Sequence, residues 1–270
     1  MIRLGNQTAF SAVSPLEPFD YALVSGFKAF EWFPDRGSQA IGGWTAADLD
    51  TSTRRWIRDT AREHDMRLSV HAHLDMARGP DWWQADFELA HDLGAKLLNV
   101  HLETAEGLEA FLAANLTLIG ATAEAGLTLA FENTPFHSPE VFNAWFALLR
   151  AQPHLPTDHV GLGFDLGHAN LCSATRNDYL GFVDRLEAKV PIVHLHLHEN
   201  WGERDEHLPL FTGPAARDDS GLRGLFERLV RRGFSGAGIL EQWPQPPTLL
   251  NQAHDKLLRL LEESGSSPLR

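Results

Sequence analysis

Short apolar runs alternate with longer amphipathic stretches along the whole chain. Eight of the runs have the length of buried parallel strands, and the stretches between them repeat their apolar residues at helical spacing. The predicted strands are Ile2–Thr8, Phe27–Phe33, Arg67–Leu74, Lys96–Glu103, Thr128–Thr134, Val160–Asp165, Ile192–His198 and Ala237–Trp243. The predicted helices are Pro18–Ser25, Ala46–His64, Trp82–Leu93, Ala105–Ala125, Pro139–Arg150, Tyr179–Ala188, Leu222–Arg232 and Thr248–Glu262.

Alternation of strands and helices predicts a parallel sheet. The chain has 270 residues, so each of eight units averages about 34 residues, which is the size of a βα repeat in a closed barrel. We therefore predict an α/β fold, a single (β/α)8 TIM barrel over residues 1–270. A doubly wound open sheet is the alternative. Its first strand usually leads into a glycine-rich phosphate loop, and the segment from Gly5 to Phe10 lacks that pattern.

The chain is acidic, because 36 Asp and Glu residues against 23 Lys and Arg residues give a formal charge of −13. This balance disfavours nucleic acid as the partner, although a local basic patch is compatible with an acidic total. Cys172 is the single cysteine, which excludes an intramolecular disulfide and agrees with a reducing cytoplasm. Residues 1–10 lack a signal-peptide pattern and no apolar run reaches 18 residues, so we expect a cytoplasmic protein without a membrane span.

Acidic and imidazole side chains recur near the carboxyl ends of the predicted strands. They are His71, His101, Glu132, Asp165, His196 and Glu241, separated by 30, 31, 33, 31 and 45 residues. In a barrel these strand ends meet at one rim, where barrel active sites lie. A surface or core role explains any single one as well as ligation does, but six in phase favour a shared site. Such groups bind Zn²⁺, Mn²⁺, Mg²⁺ or Fe²⁺, and without a cation they would repel one another.

Other histidines receive different expectations. His73, His194 and His198 share a strand face with the candidates, and we expect them to support or pack rather than to ligate. Six lie on helices or connections and are expected to be solvated: His64, His91, His137, His154, His159 and His254. In the loop after the seventh strand, Asp205 and His207 are two residues apart. An extended segment could present both to one ion, and a charged, solvated loop is an equal alternative.

Aromatic residues near the rim fit a small ligand with polar and apolar faces. Trp32 follows strand two, Trp201 opens the strand-seven loop and Trp243 ends strand eight, so we predict that they bind substrate. Glu31 is a candidate acceptor for the substrate, and a surface role is an equal alternative for it. A plug of the barrel end is the alternative for these aromatics, and it is the preferred role for Phe33. Two further tryptophans, Trp82 and Trp83, begin a predicted helix and indicate either packing or an interface of a homo-oligomer.

Four segments resemble a known group of barrels. They are Phe131–Thr134, Gly163–Ala169, His194–Asn200 and Asp205–Pro209, which read FENT, GFDLGHA, HLHLHEN and DEHLP. Together they resemble the xylose isomerase-like TIM-barrel superfamily, which holds sugar (phosphate) isomerases and epimerases as well as enzymes of the endonuclease IV type. The resemblance extends from Phe27 to Trp243.

Resemblance to the ketose 3-epimerase branch implies one divalent ion. Glu132, Asp165, His196 and Glu241 would hold it. The two glutamates would exchange the proton while the ion polarises the substrate oxygens. On this basis a sugar isomerase or epimerase is the leading expectation, and a barrel that binds sugar without catalysis is a further class.

Resemblance to the endonuclease IV branch implies three zinc ions and a phosphodiester hydrolase. The three implied sites are His71, His101 and Glu132; Glu132, Asp165, His196 and Glu241; and His168, Asp205 and His207. The chain departs from the nuclease pattern after His101, where Leu102-Glu103 stands instead of Pro-Gly. This departure and the acidic charge make hydrolysis of abasic DNA the second expectation rather than the first.

Overall fold

The protein is described by a computed structural model over residues 1–8, 14–34, 43–74, 81–242, 244 and 246–265. Eight parallel strands close into a barrel in chain order, with β8 beside β1. The strands are β1 (Arg3–Gln7), β2 (Ala29–Trp32), β3 (Arg67–His71), β4 (Leu97–His101), β5 (Thr128–Glu132), β6 (Val160–Asp165), β7 (Ile192–Leu197) and β8 (Ala237–Leu240). The predicted (β/α)8 barrel is confirmed.

Helices follow the strands and cover the outside of the barrel. They are α1 (Leu16–Val24), α2 (Thr51–Glu63), α3 (Gln84–Leu93), α4 (Leu108–Ala125), α5 (Pro139–Arg150), α6 (Leu166–Leu171), α7 (Tyr179–Arg185), α8 (Ser220–Arg231) and α9 (Thr248–Glu263). Single 3₁₀ turns occupy Ala46–Asp48 and Pro214–Ala216. None of the described helices is long and apolar enough to cross a membrane.

Helix starts differ from the sequence prediction where a capping residue intervenes. The predicted helix Ala46–His64 is divided, because the Asp50 carboxylate accepts a hydrogen bond from the Thr53 amide at 2.7 Å and α2 begins there. Helix α6 was not predicted, since six residues are too few to show helical periodicity. It begins because the Asp165 carboxylate accepts from the His168 amide at 2.6 Å.

Strand parity separates an outer core from the barrel interior. In β2, Phe30 and Trp32 point outward and pack on Phe19 of α1, with ring centroids 5.2 and 5.3 Å apart from it. Glu31, between them, points inward, as does Ala29, which packs with Ala237 and Ile239 in a small inner cluster. The predicted substrate contact of Trp32 is therefore wrong, because the fully buried indole faces a helix and not the rim.

Two histidines that were predicted to be solvated are buried. His137 lies between the hydroxyls of Thr104 and Thr134, at 2.9 and 2.8 Å, and His254 packs edge-on against Phe27. Of the remaining four, His159 is half-buried, whereas the others are exposed: His64, His91 and His154. Trp82 and Trp83, for which packing and an interface were both expected, are buried within the chain itself, as packing requires.

Replacement of Trp32 by Ala should leave a large cavity between β2 and α1. We expect the free energy of unfolding to fall by about 3–5 kcal/mol, as is typical of deleting a buried large aromatic side chain. Urea unfolding followed by circular dichroism measures the change. Phe136→Ala is the control, since Phe136 is 90% exposed, and it should change stability by less than about 0.5 kcal/mol. A loss as small in Trp32→Ala would contradict the outward packing.

Candidate metal centre

The barrel register brings the predicted ligands to one level of the rim. His101 of β4 is paired with Glu132 of β5, and Asp165 of β6 is paired with His196 of β7. Of the six strand-end candidates, only His101 is not fully buried, with 22% of its side chain exposed. Residues far apart in the sequence therefore converge within a space that the barrel largely shields from water.

One imidazole nitrogen lies at the middle of this group. Nδ1 of His196 is 3.2 Å from a Glu132 oxygen, 3.4 Å from a Glu241 oxygen and 3.7 Å from an Asp165 oxygen. The same Glu132 oxygen is 3.3 Å from Nε2 of His71, and the other Glu132 oxygen is 3.6 Å from Nε2 of His101. Glu132 therefore lies between two sets of candidate ligands: the histidines of β3 and β4 on one side, and Asp165, His196 and Glu241 on the other.

Asparagines fix the orientation of the two central carboxylates. The Asn99 amide donates a short hydrogen bond to Glu132. Asn133 makes a reciprocal pair with the Asp165 backbone, donating to its carbonyl at 2.9 Å and accepting from its amide at 2.8 Å. One Asp165 oxygen caps α6, so the other remains directed at His196 and at His198, whose Nε2 is 3.1 Å away.

A second cluster lies beside the first and is formed by His168, His198, Asp205 and His207. One Asp205 oxygen is 3.2 Å from Nε2 of both His168 and His207. His198 stacks on His207 with ring centroids 4.0 Å apart. The structure therefore brings together the predicted residues of the third site and adds His198, which was expected only to support or pack. Its spacing of two residues from His196 was the available signal, because both must face the same side of β7.

The loop that carries Asp205 and His207 is closed at its base. Glu199 and Leu208 exchange two backbone hydrogen bonds of 2.9 Å, which folds the intervening residues into a hairpin-like turn. The Glu199 carboxylate also accepts from the amides of Gly213 and Ala215, at 3.2 and 2.6 Å. This loop is therefore held at the end of β7. Asp205 and His207, for which one shared ion and a charged, solvated loop were equal expectations, lie 3.2 Å apart.

Carboxylates and imidazoles at the rim offset one another's charge. Burial raises the pKa of Glu132, but the charges of His196 and His101 outweigh burial and hold this pKa well below its ordinary value. Burial lowers the pKa of His196, but the charges of Glu132 and Glu241 outweigh it and hold this pKa well above its ordinary value. A cation bound among these groups would therefore compete with the imidazole protons and release them.

The donor set fits a divalent cation. Several buried polar atoms have no hydrogen-bond partner among the described residues, including Glu132 Oε1, Glu241 Oε2 and Nδ1 of His196 and His198. Proteins rarely leave such atoms unpaired, and these belong to the types that bind Zn²⁺, Mn²⁺, Mg²⁺ or Fe²⁺. Ligand atoms of Asp165, His196 and Glu241 lie within 4.8 Å of one another, as do those of His71, Glu132 and His196.

The predicted substrate contacts have different outcomes. Glu31 is not an open acceptor, because it is fully buried and its two oxygens accept from His194, His196 and Ser69. Trp201 is 45% exposed, with the Arg217 guanidinium 5.4 Å from its ring. It lines a cavity of about 350 Å³, but none of the predicted metal ligands lines that cavity. Trp243 lies outside the described residues.

Comparison with known proteins identifies the family. Residues 19–262 match the family described as xylose isomerase-like TIM barrel, and the chain belongs to this family. The uncharacterized protein MJ1311 of Methanocaldococcus jannaschii is 28% identical over 117 residues, which are 43% of this chain and 37% of the relative. The chain therefore matches little more than a third of that relative's length.

Solved structures share the barrel over almost the whole chain. A D-tagatose 3-epimerase-like protein superimposes with a TM-score of 0.72 and 18% identity, covering 97% of this chain and 98% of that chain. An L-ribulose 3-epimerase superimposes with a TM-score of 0.70 and 16% identity, covering 98% of this chain and 96% of that chain. At these identities the likeness is one of fold, and the resemblance expected from the motifs is confirmed by the family match.

Replacement of Gly167 by Ala should disturb the second cluster. A Cβ at this position would lie 2.0 Å from the His198 ring, so the ring must move, and we expect a loss of about 1–3 kcal/mol in the free energy of unfolding. Gly120→Ala in α4 is the control, because its Cβ meets nothing within 4 Å, and it should gain about 0.5–1 kcal/mol. Thermal unfolding compares the melting temperatures of the two variants. Equal shifts of the same sign would contradict the close approach of Gly167 to the His198 ring.

Proposed function

We propose that the protein is a divalent-metal-dependent isomerase or epimerase of a sugar or related polyol. The observation that supports this proposal is the convergence of Glu132, Glu241 and Asp165 on Nδ1 of His196. These four residues would hold the ion. Their carboxylate and imidazole donors suit Mn²⁺, Zn²⁺, Mg²⁺ or Fe²⁺.

The two glutamates would transfer the proton. Removing a proton next to a carbonyl requires a carboxylate within hydrogen-bond reach and a means to stabilise the developing enediolate. A bound divalent ion supplies this stabilisation as a Lewis acid. Glu132 would accept the proton, since its Oε1 is buried and has no hydrogen-bond partner among the described residues. Glu241 would return a proton to the other face of the carbon.

The substrate class is inferred from the neighbours and the charge. Two structural neighbours bear the names of ketose 3-epimerases, so ketoses are the first substrates to test. The formal charge of −13 favours a neutral sugar over a polyanion. Trp201 lies in the loop that carries Asp205 and His207 and is 45% exposed, so its ring is accessible to a sugar.

Replacement of either glutamate by Gln should abolish proton exchange. We expect Glu132→Gln and Glu241→Gln each to lower kcat at least about 100-fold on an active ketose with Mn²⁺, because an amide cannot serve as the acid or base. Turnover is measured by chromatography of the sugars, and proton exchange by deuterium incorporation from D₂O. Glu103→Gln is the control, since this exposed carboxylate follows β4 at the same rim. Full activity in both glutamate variants would remove the proposed pair.

A second candidate function is a zinc-dependent phosphodiester hydrolase. The observation that favours it is the second cluster of His168, His198, Asp205 and His207, which a mechanism with one ion does not need. Two or three ions close together could clamp the oxygens of a phosphodiester during displacement. The acidic charge of the chain opposes long contacts with a DNA backbone.

Metal content distinguishes the two functions. The isomerase predicts about one ion per chain, whereas the hydrolase predicts about three. Inductively coupled plasma mass spectrometry of protein loaded with Zn²⁺ gives the count, and a duplex with an abasic site tests cleavage directly. Three ions together with cleavage would replace the isomerase by the hydrolase. One ion without cleavage would exclude the hydrolase.

A further inference from the structure

A fully buried carboxylate lies inside the barrel behind the candidate centre. Glu31 of β2 accepts a hydrogen bond of 2.7 Å from Nε2 of His196 on one oxygen. Its other oxygen accepts from Nε2 of His194 at 2.7 Å and from the Ser69 hydroxyl at 2.9 Å. Because β2 and β7 are not neighbours in the sheet, these contacts cross the interior of the barrel.

The bonds to Glu31 decide which nitrogens of the two imidazoles carry protons. An ionised carboxylate can only accept, so Nε2 must be the donor in both His194 and His196. When His196 gives up one proton on binding a cation, the proton that it keeps is the one on Nε2, and Nδ1 is left free to ligate.

This nitrogen is the one that faces the other carboxylates. Nδ1 of His196 has no hydrogen-bond partner among the described residues, and oxygens of Glu132 and Glu241 lie 3.2 and 3.4 Å away. Metal-bound histidines commonly donate their other N–H to a carboxylate, which fixes the ring and makes the ligating nitrogen more basic. Glu31 is placed to accept this second N–H of His196, since it lies 2.7 Å from Nε2.

We propose that Glu31 is a positioning residue of the metal centre, which holds the Nε2 proton of His196 and thereby presents its Nδ1 to the ion. The inference rests on the metal centre of the proposed function. His194 and Ser69 complete the arrangement, since they occupy the second oxygen and prevent the carboxylate from turning away.

Glu31→Gln tests this role, because one end of the carboxamide donates and cannot pair with an Nε2–H. We expect the dissociation constant for Zn²⁺, measured by competition with a chromophoric chelator, to rise about 10- to 100-fold. Asp86→Asn is the matched control. Asp86 of α3 is a buried carboxylate that accepts from Nδ1 of His73 at 2.5 Å and contacts none of the proposed ligands, and its loss should change stability but not zinc affinity.

Nuclear magnetic resonance of ¹⁵N-histidine in the zinc-loaded protein provides a second measurement. His196 should keep its proton on Nε2 and show a metal-bound Nδ1. Wild-type zinc affinity in Glu31→Gln, an equal loss in Asp86→Asn, or zinc on Nε2 of His196 would overturn the inference.

Ketose turnover separates the role of Glu31 from the proposed function. Weakened zinc binding in Glu31→Gln with an inactive wild-type protein would remove only the proposed function, whereas unchanged binding with an active protein would remove only the role of Glu31.

Discussion

Repulsion among buried carboxylates is the constraint on which the rim of this barrel depends. Parallel strands of similar register deliver Glu132, Asp165 and Glu241 to one small volume, where burial penalises each negative charge. The surrounding imidazoles offset this penalty, because they donate hydrogen bonds or carry protons. Histidine suits the position better than lysine or arginine, since it can give up its proton to make room for a cation.

Much of this site could be predicted from the chain, because a βα repeat converts regular spacing into spatial proximity. The spacing between His71 and His196 places one candidate per strand, and the structure brings all nine predicted ligands into one connected group. The helix prediction failed where the start of a helix depends on a capping side chain and not on the apolar pattern, as at Asp50 and Asp165. Short local hydrogen bonds of this kind leave little trace in the pattern of apolar residues.

The errors at the rim come from the orientation of side chains. Trp32 was expected beside a substrate, yet Glu31 faces the interior and the next residue of a strand must face the helices. Glu31 itself was expected to be open, and no property of the sequence shows that His194 and His196 reach it across the barrel. Contacts between strands that are not neighbours form only because the sheet closes into a barrel. The spacing of residues along the sequence does not show which side chains then meet across the interior.

The paired backbone hydrogen bonds between Glu199 and Leu208 close the loop after β7 on itself, so the loop residues are positioned independently of the strands. The sheet determines the positions of the candidate ligands on strands, whereas the closed loop determines the positions of Asp205 and His207. Such a loop can diverge in evolution, or be exchanged by an engineer, without disturbing strand register. The number of ions that the proposed centre would hold could therefore change through this loop, which supplies two of the four residues of the second cluster, while the barrel stays the same.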